Sequence, residues 1–172
     1  APPPEPQPEA EEGPWKYDPL MIGDSVSLRA TDAFNAQWPG GHLDAATSRQ
    51  LTVGQGVYQY YSDQNLVGEH IVVALGTNGV LTEDQLEEFL TLVGADKKVY
   101  LLTIRTPNTW ETSVNDAITT VAANHENVTL IDWYGASANH DEYFDGDGTH
   151  LTEVGVQAFI RLIHDAVGDT PN

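Results

Sequence analysis

Short apolar runs alternate with longer amphipathic stretches through most of this 172-residue chain. The run Ile71-Val72-Val73-Ala74-Leu75 is continuous and rich in β-branched residues, which predicts a strand buried on both faces. A capping-box pattern at Thr82 and Gln85 then begins a stretch whose apolar residues recur at helical spacing. Strand and helix alternate in this way about five times. The pattern predicts an α/β fold, a three-layer α/β/α sandwich with a five-stranded parallel sheet.

Approximate bounds can be given for these elements. The apolar runs predict strands over about 20–23, 42–46, 71–75, 99–104 and 128–133. The amphipathic stretches predict helices over about 26–38, 53–64, 83–93, 114–122 and 153–167. No repeat of fixed period is present, so the chain is expected to form one domain around a single core.

The first residues differ in composition from the rest. Residues 1–16 contain six of the ten prolines and several glutamates, which predicts an extended, disordered linker, with a frayed terminus as the alternative. Residues 17–168 are expected to form the functional domain, and residues 169–172 a short tail.

The formal net charge is −19, with only 7 lysines and arginines. This balance disfavours nucleic acid and anionic membrane surfaces as partners and favours solubility. Cysteine is absent, which excludes disulfides and thiol catalysis. No apolar run of about 18 residues is present, so this fragment is not expected to span a membrane, although it could be a soluble piece of a membrane-attached protein.

Polar motifs follow three of the predicted strands. Gly23-Asp24-Ser25 follows the first, Gly76-Thr77-Asn78-Gly79 the third, and Asp145-Gly146-Asp147-Gly148-Thr149-His150 lies in a longer loop after the fifth. Each motif alone is also a common turn. In open parallel sheets, however, ligands bind beyond the carboxyl ends of the strands. The three motifs together therefore predict one functional site at that edge.

The residue types in these motifs suit acyl transfer. Ser25 would be the nucleophile, His150 the base that takes its proton, and Asp147 the acceptor that orients the imidazole. The backbone N–H of Ser25 and the side chain of Asn78 would stabilise the oxyanion. Because the base must be neutral, activity is expected to rise over the pH range in which histidine loses its proton.

The order of these motifs resembles the SGNH (GDSL-type) hydrolase family, which has a Ser block, a Gly block, an Asn block and an Asp-x-x-His block. Ser25, Asn78, Asp147 and His150 match three of the four blocks, and the resemblance extends over about residues 20–166. It implies the flavodoxin-like SGNH fold. The second block departs from the pattern, because Arg49 occupies the Gly position.

Further motifs resemble the extracytoplasmic SGNH domain of cell-surface O-acyltransferases, including peptidoglycan O-acetyltransferases. They are Asp-Ala-x-x-Ser-Arg-Gln from residue 44, Trp110 followed by Val114-Asn115, and Ile131-Asp132-Trp133. The resemblance implies an acyl donor, such as an acetyl ester, and a glycan acceptor. It also implies an upstream integral-membrane acyltransferase domain that would tether this domain to the extracytoplasmic face of a bacterial membrane.

Three further residues are candidates for substrate binding. Arg49 would hold the substrate or the oxyanion, with a structural salt bridge as the alternative. Trp110 and Asn115 would line a glycan groove, whereas packing is expected of Trp133. The acidic segment 141–147 does not fit a calcium loop, because Tyr143 and Thr152 occupy ligand positions. We therefore expect neither a metal nor a cofactor.

Two alternatives to acyl transfer stay open. The same residues could hydrolyse acyl esters of carbohydrates or lipids, with water as the acceptor. The domain could instead be a glycan-binding module without catalytic activity, although the presence of all three triad residue types argues against this.

Overall fold

The computed structural model describes residues 15–171, so the predicted linker lies outside the described part except for Trp15 and Lys16. One parallel sheet has the strand order β2-β1-β3-β4-β5. The strands are β1 Leu20–Gly23, β2 His42–Ala45, β3 His70–Ala74, β4 Lys98–Leu102 and β5 Val128–Ile131. This sheet and its two helical layers confirm the predicted α/β/α sandwich.

Seven α-helices surround the sheet in the described range. They are α1 Ser25–Leu28, α2 Thr31–Gln37, α3 Leu51–Asp63, α4 Glu83–Val93, α5 Glu111–Ala123, α6 Trp133–Ala136 and α7 Glu153–Val167, and a 3₁₀ turn spans Asp141–Tyr143. One apolar layer lies between the sheet and α3, α4 and α5, and the other between the sheet and α1, α2 and α7. The central strands are therefore covered on both faces, as their continuous apolar sequences require.

Several helix ends follow the capping chemistry of the sequence. Thr82 and Gln85 form the predicted capping box at α4, and the helix ends at Gly94, which has a φ of 88°. Thr152 caps α7 by accepting a hydrogen bond from the N–H of Gly155. These side chains satisfy backbone groups that would otherwise lack partners at a helix end.

Several predicted bounds differ from the structure by two or three residues, among them the fourth strand, which ends at Leu102 rather than at 104. In two places the number or the type of element differs as well. The helix expected over 26–38 is two short helices, α1 and α2, separated by Arg29 and Ala30. At the start of α2 the hydroxyl of Thr31 donates to the carbonyl of Leu28 at 2.6 Å. The fifth strand ends at Ile131 rather than at Trp133. Asp132 ends it by capping α6 through the N–H of Gly135, so Trp133 begins a helix, where it is buried against Phe159.

Candidate active site

Ser25 lies just beyond the carboxyl end of strand β1. It is the first residue of α1 and follows β1 after a single residue, Asp24. Its Oγ atom lies 2.8 Å from Nε2 of His150. An imidazole at this distance can take the hydroxyl proton, which is the requirement for a serine nucleophile.

The imidazole of His150 is held from its other side by Asp147. Its Nδ1 atom lies 2.5 Å from Oδ2 of Asp147, while Oδ1 of Asp147 accepts the backbone N–H groups of Thr149 and His150, both at 2.9 Å. Burial opposes ionisation of Asp147, but these three hydrogen bonds and the nearby imidazole outweigh it and lower its pKa to about 2. Asp147 is therefore a carboxylate at neutral pH and can orient the ring and stabilise its positive charge.

The loop that carries Asp147 and His150 is closed by its own backbone. The N–H of Asp145 donates to the carbonyl of His150 at 2.9 Å, and Phe144 and Leu151 form an antiparallel bridge. Arg29, from the segment between α1 and α2, forms an ion pair with Asp145 and donates to the carbonyl of Leu151 at 3.0 Å. Helix α1, which begins with Ser25, is thus tied to the loop of His150 by a contact outside the reacting atoms.

A buried carboxylate lies directly beside the nucleophile. Asp24 is 1% exposed, and its Oδ1 caps α1 by accepting the N–H of Val26 at 3.0 Å. Its Oδ2 accepts the hydroxyl of Thr77 at 2.5 Å and lies 3.4 Å from Nδ2 of Asn78. Burial raises the pKa of Asp24, although these hydrogen bonds oppose the rise. Asp24 thereby joins the Ser25 motif to the Asn78 motif.

The remaining predicted residues differ in their surroundings. Asn115 accepts the N–H of Ile104 at 2.7 Å and donates to its carbonyl at 2.9 Å, so both ends of its amide bind backbone rather than open space. Trp110 is half-buried and donates to the carbonyl of Thr77 at 3.3 Å. The guanidinium of Arg49 is directed at Asp44 and at the carbonyl of Gly23.

A groove lined by both polar and apolar groups adjoins the loop of His150. Its volume is about 580 Å³, and its lining includes Arg105, Thr106, Glu111, Asp141, Phe144 and Gly148. The hydroxyl of Thr106 lies 3.1 Å from that of Thr149, the residue before His150, so the groove is continuous with the catalytic loop. A groove with this many hydrogen-bonding groups suits a hydroxyl-rich ligand.

Two further features concern ions and membranes. Within residues 15–171, no group of three or more His, Cys, Asp or Glu side chains is arranged to hold a metal ion. Among the same residues, no helix has both the length and the apolar character needed to cross a bilayer.

Several supporting residues could not be assigned a role from the sequence. Asp24 and Thr77 lie within motifs that the sequence singles out, but their partnership depends on the pairing of β1 with β3. The Arg29–Asp145 pair has no local signal, because 116 residues separate its members.

Comparison with known proteins identifies relatives of this chain. No family model matches it. Over 150 residues it is 42% identical to the O-acetyltransferase OatA of Staphylococcus aureus strain NCTC 8325, a match that covers 86% of this chain. The chain spans only 24% of that protein's length, so the similarity concerns one segment of a longer protein.

Solved structures share the fold at lower identity. The C-terminal catalytic domain of the peptidoglycan O-acetyltransferase OatA of Streptococcus pneumoniae superposes with a TM-score of 0.74 at 20% identity, covering 89% of this chain and 93% of that one. A GDSL-like lipase of Bacteroides thetaiotaomicron superposes with a TM-score of 0.62 at 19% identity, covering 86% of each chain. These likenesses establish the SGNH architecture.

Proposed function

We propose that this chain, an SGNH (GDSL-type) domain homologous to one segment of the staphylococcal O-acetyltransferase OatA, transfers an acetyl group to a cell-surface glycan through an acyl-enzyme on Ser25. The observation that carries the proposal is the continuous line from Oγ of Ser25 through the imidazole of His150 to the carboxylate of Asp147, with distances of 2.8 and 2.5 Å. This arrangement is the one that activates a serine hydroxyl for attack on an acyl carbonyl.

The first half-reaction acylates Ser25. Its Oγ attacks the carbonyl carbon of the donor ester while Nε2 of His150 takes the hydroxyl proton. The negative charge that develops on the carbonyl oxygen is stabilised by the backbone N–H of Ser25 and by the amide of Asn78. The tetrahedral intermediate then expels the donor's alkoxy group, which receives the proton from His150 and leaves as an alcohol.

The second half-reaction uses the same groups in reverse. A sugar hydroxyl gives its proton to Nε2 of His150 as its oxygen attacks the acyl carbon on Ser25. The intermediate collapses to the glycan ester, and His150 returns the proton to Oγ of Ser25. Asp147 keeps its negative charge throughout and stabilises the imidazolium that forms in each half.

The acceptor glycan would occupy the groove beside the catalytic loop. Its lining offers charged and neutral hydrogen-bonding groups, including Arg105, Glu111 and Asp141. The guanidinium of Arg105 is prearranged for such a role, because it donates from Nε to Ser137 at 2.8 Å and lies 4.2 Å from the ring centre of Tyr134. Side chains of this kind can donate hydrogen bonds to sugar hydroxyls and accept hydrogen bonds from them.

The domain would act outside the cytoplasm, joined through residues 1–16 to an upstream integral-membrane acyltransferase domain. The homologous segment of OatA makes up 24% of that protein, which leaves room for such a domain. Tyr17, which follows Trp15 and Lys16, forms an isolated parallel bridge with Val67. Both residues precede strands of the sheet, so this segment lies at the amino ends of β1 and β3, opposite the carboxyl edge that carries Ser25. A tether at this end would leave Ser25 facing away from its point of attachment.

The experiment combines the purified chain with p-nitrophenyl acetate as the donor and chitooligosaccharide or soluble peptidoglycan fragments as the acceptor. Mass spectrometry of the acceptor should show added acetyl groups, and their appearance should be lost in Ser25→Ala. Acetate release that is unchanged by the glycan, with no acetylated product, would contradict the transferase proposal. Loss of acceptor acetylation but retained ester turnover in Arg105→Gln would assign the acceptor to the groove.

Ester hydrolysis is the second candidate function. His150 keeps 30% of its side chain exposed, so water can reach the acyl-enzyme as readily as a sugar can. A hydrolase would release acetate at a rate independent of glycan, and it would deacetylate an O-acetylated glycan when no other donor is supplied.

A further inference from the structure

Arg49 connects three separate parts of the site. Its guanidinium donates from Nη1 to the carbonyls of Asp44 at 2.7 Å and Gly23 at 3.3 Å, and from Nη2 to the carboxylate of Asp44 at 2.9 Å. Gly23 ends β1 immediately before Asp24 and Ser25, whereas Asp44 lies on the edge strand β2. The side chain of Arg49 is only 10% exposed, and both of its terminal nitrogens are held by these internal contacts.

The backbone of the same residue contacts the proposed oxyanion donor. The carbonyl of Arg49 accepts a hydrogen bond from Nδ2 of Asn78 at 3.2 Å, and the next residue, Gln50, donates to the carbonyl of Asn78 at 2.8 Å. An amide nitrogen carries two hydrogens. When one is held by Arg49, the direction of the other is determined. This second hydrogen has only longer contacts, at 3.4 Å to Oδ2 of Asp24 and 3.5 Å to the hydroxyl of Thr77, which an oxyanion beside Ser25 would replace.

The loop conformation needs support of this kind. Ser48, immediately before Arg49, has a φ of 59°, which lies in the left-handed region that non-glycine residues seldom adopt. Such a conformation persists only where surrounding contacts impose it. The paired guanidinium of Arg49 provides those contacts one residue away.

The partner of Arg49 is itself held in the charged state. Burial opposes ionisation of Asp44, but hydrogen bonds from Tyr61 and Arg49 outweigh it and lower the pKa of Asp44. Tyr61 donates to Oδ2 of Asp44 at 2.7 Å, on the side opposite the oxygen that Arg49 binds. The guanidinium is thus anchored on Asp44 at two points, the oriented carboxylate through Oδ1 and the backbone carbonyl.

From these contacts we propose that Arg49 is a positioning residue for the oxyanion site. The ion pair with Asp44 anchors the loop of residues 46–50, and the carbonyl of Arg49 then directs the amide of Asn78 toward the acyl oxygen. The proposal rests on the proposed function, since it assigns to Asn78 the stabilisation of the oxyanion. It gives Arg49 an indirect role, in place of direct binding to the substrate.

The kinetic test measures kcat and KM for hydrolysis of p-nitrophenyl acetate by Arg49→Gln and Arg49→Lys. Both variants should lose kcat on the order of tenfold or more with little change in KM, because the lost interaction acts in the transition state. Lys should not restore activity, because a single ammonium cannot reproduce the two-point contact. Unchanged kcat in Arg49→Gln, or a loss confined to KM, would overturn the proposal.

A double-mutant cycle tests whether Arg49 acts through Asn78. In the Asn78→Ala background, Arg49→Gln should cause no further loss of kcat, because the group that it positions is already missing. An equal loss in both backgrounds would show that Arg49 acts by another route. The control is His70→Gln, which removes a comparably buried hydrogen bond between the imidazole and Asp18, formed at 2.8 Å at the other end of β3. It should lower stability while leaving kcat intact.

A spectroscopic readout makes the result independent of turnover. In the wild type the two side-chain amide protons of Asn78 should give separate NMR signals with slowed exchange, and Arg49→Gln should shift them and speed their exchange. If these signals do not respond, the proposal is wrong even where kcat falls. If they respond but neither transfer nor hydrolysis occurs in the wild type, the proposed function fails and the positioning by Arg49 stands.

Discussion

Oγ of Ser25 and Nε2 of His150 are 2.8 Å apart, although 125 residues separate them in the chain. The contact brings together the start of α1, after strand β1, and the loop that precedes α7. It depends on the parallel sheet, which places the end of β1 beside that loop, and on the bonds that close the loop.

Asp147→Asn should reduce kcat for ester hydrolysis by about 10³–10⁴-fold while the protein remains folded. An amide offers no negative charge to the imidazolium and favours the wrong tautomer of His150. Steady-state kinetics and circular dichroism would measure the two effects. Asp165→Asn, which neutralises an exposed carboxylate on α7, is the control and should behave like the wild type; a loss below tenfold in Asp147→Asn would refute the assigned role.

Asn78→Ala should lower kcat by about 10²–10³-fold with a small effect on KM, because it removes one donor to the developing oxyanion. Asn115→Ala provides the contrast. It removes both hydrogen bonds to the backbone of Ile104, which should lower the free energy of unfolding by about 1–3 kcal/mol. The kcat of its folded fraction should stay near that of the wild type; a large rise in KM for the glycan would instead support substrate binding by Asn115.

Asp24→Asn should change how stability depends on pH. Burial raises the folded-state pKa of Asp24 above its ordinary value of 3.8, so between these two pKa values the folded state binds more protons than the unfolded state. Wild-type stability therefore loses this contribution as pH rises through that window, and the variant does not. Urea unfolding from about pH 4 to neutrality should show that the free energy of unfolding of the wild type falls relative to that of the variant as the pH rises. A difference that is constant with pH would argue against a raised pKa.

The same substitution should impair catalysis. Both carboxylate oxygens of Asp24 accept hydrogen bonds, whereas an Asn side chain has one oxygen acceptor and one nitrogen donor. Val26, Thr77 and Asn78 would therefore lose part of the hydrogen bonding that they share through Asp24. We expect kcat to fall at every pH at which the variant is folded. Activity equal to that of the wild type would show that Asp24 serves the fold alone.

Gly155→Ala should displace the segment that leads into the catalytic loop. An added Cβ would lie 2.0 Å from the carbonyl oxygen of Tyr143, the same oxygen that accepts the N–H of Thr152. The strain should cost about 1–3 kcal/mol, measured by urea unfolding, and lower kcat by moving His150 away from Ser25. The control is Gly146→Ala. Gly146 lies in the catalytic loop with open space around the added Cβ, so this variant should leave the free energy of unfolding and kcat nearly unchanged. Equal behaviour of the two variants would contradict this explanation.

The sequence by itself determined the layers of the fold and the position of the site within it. Hydrophobic periodicity distinguishes buried strands such as β3 from amphipathic helices such as α7, since it records which faces are covered. Because parallel strands expose their carboxyl ends at one edge, Ser25, Asn78 and the Asp147–His150 pair could be placed at that edge from their order alone.

Only the tertiary structure decided which polar groups are partners. The bond between Asp24 and Thr77, the anchoring of Arg49 on Asp44 and Gly23, and the attachment of Asn115 to Ile104 all depend on side-chain directions after packing. A local motif records the types of the residues but not the distances between distant segments. Those distances are set when the apolar faces are buried together. They show which residues contact the reacting atoms and which residues only position them.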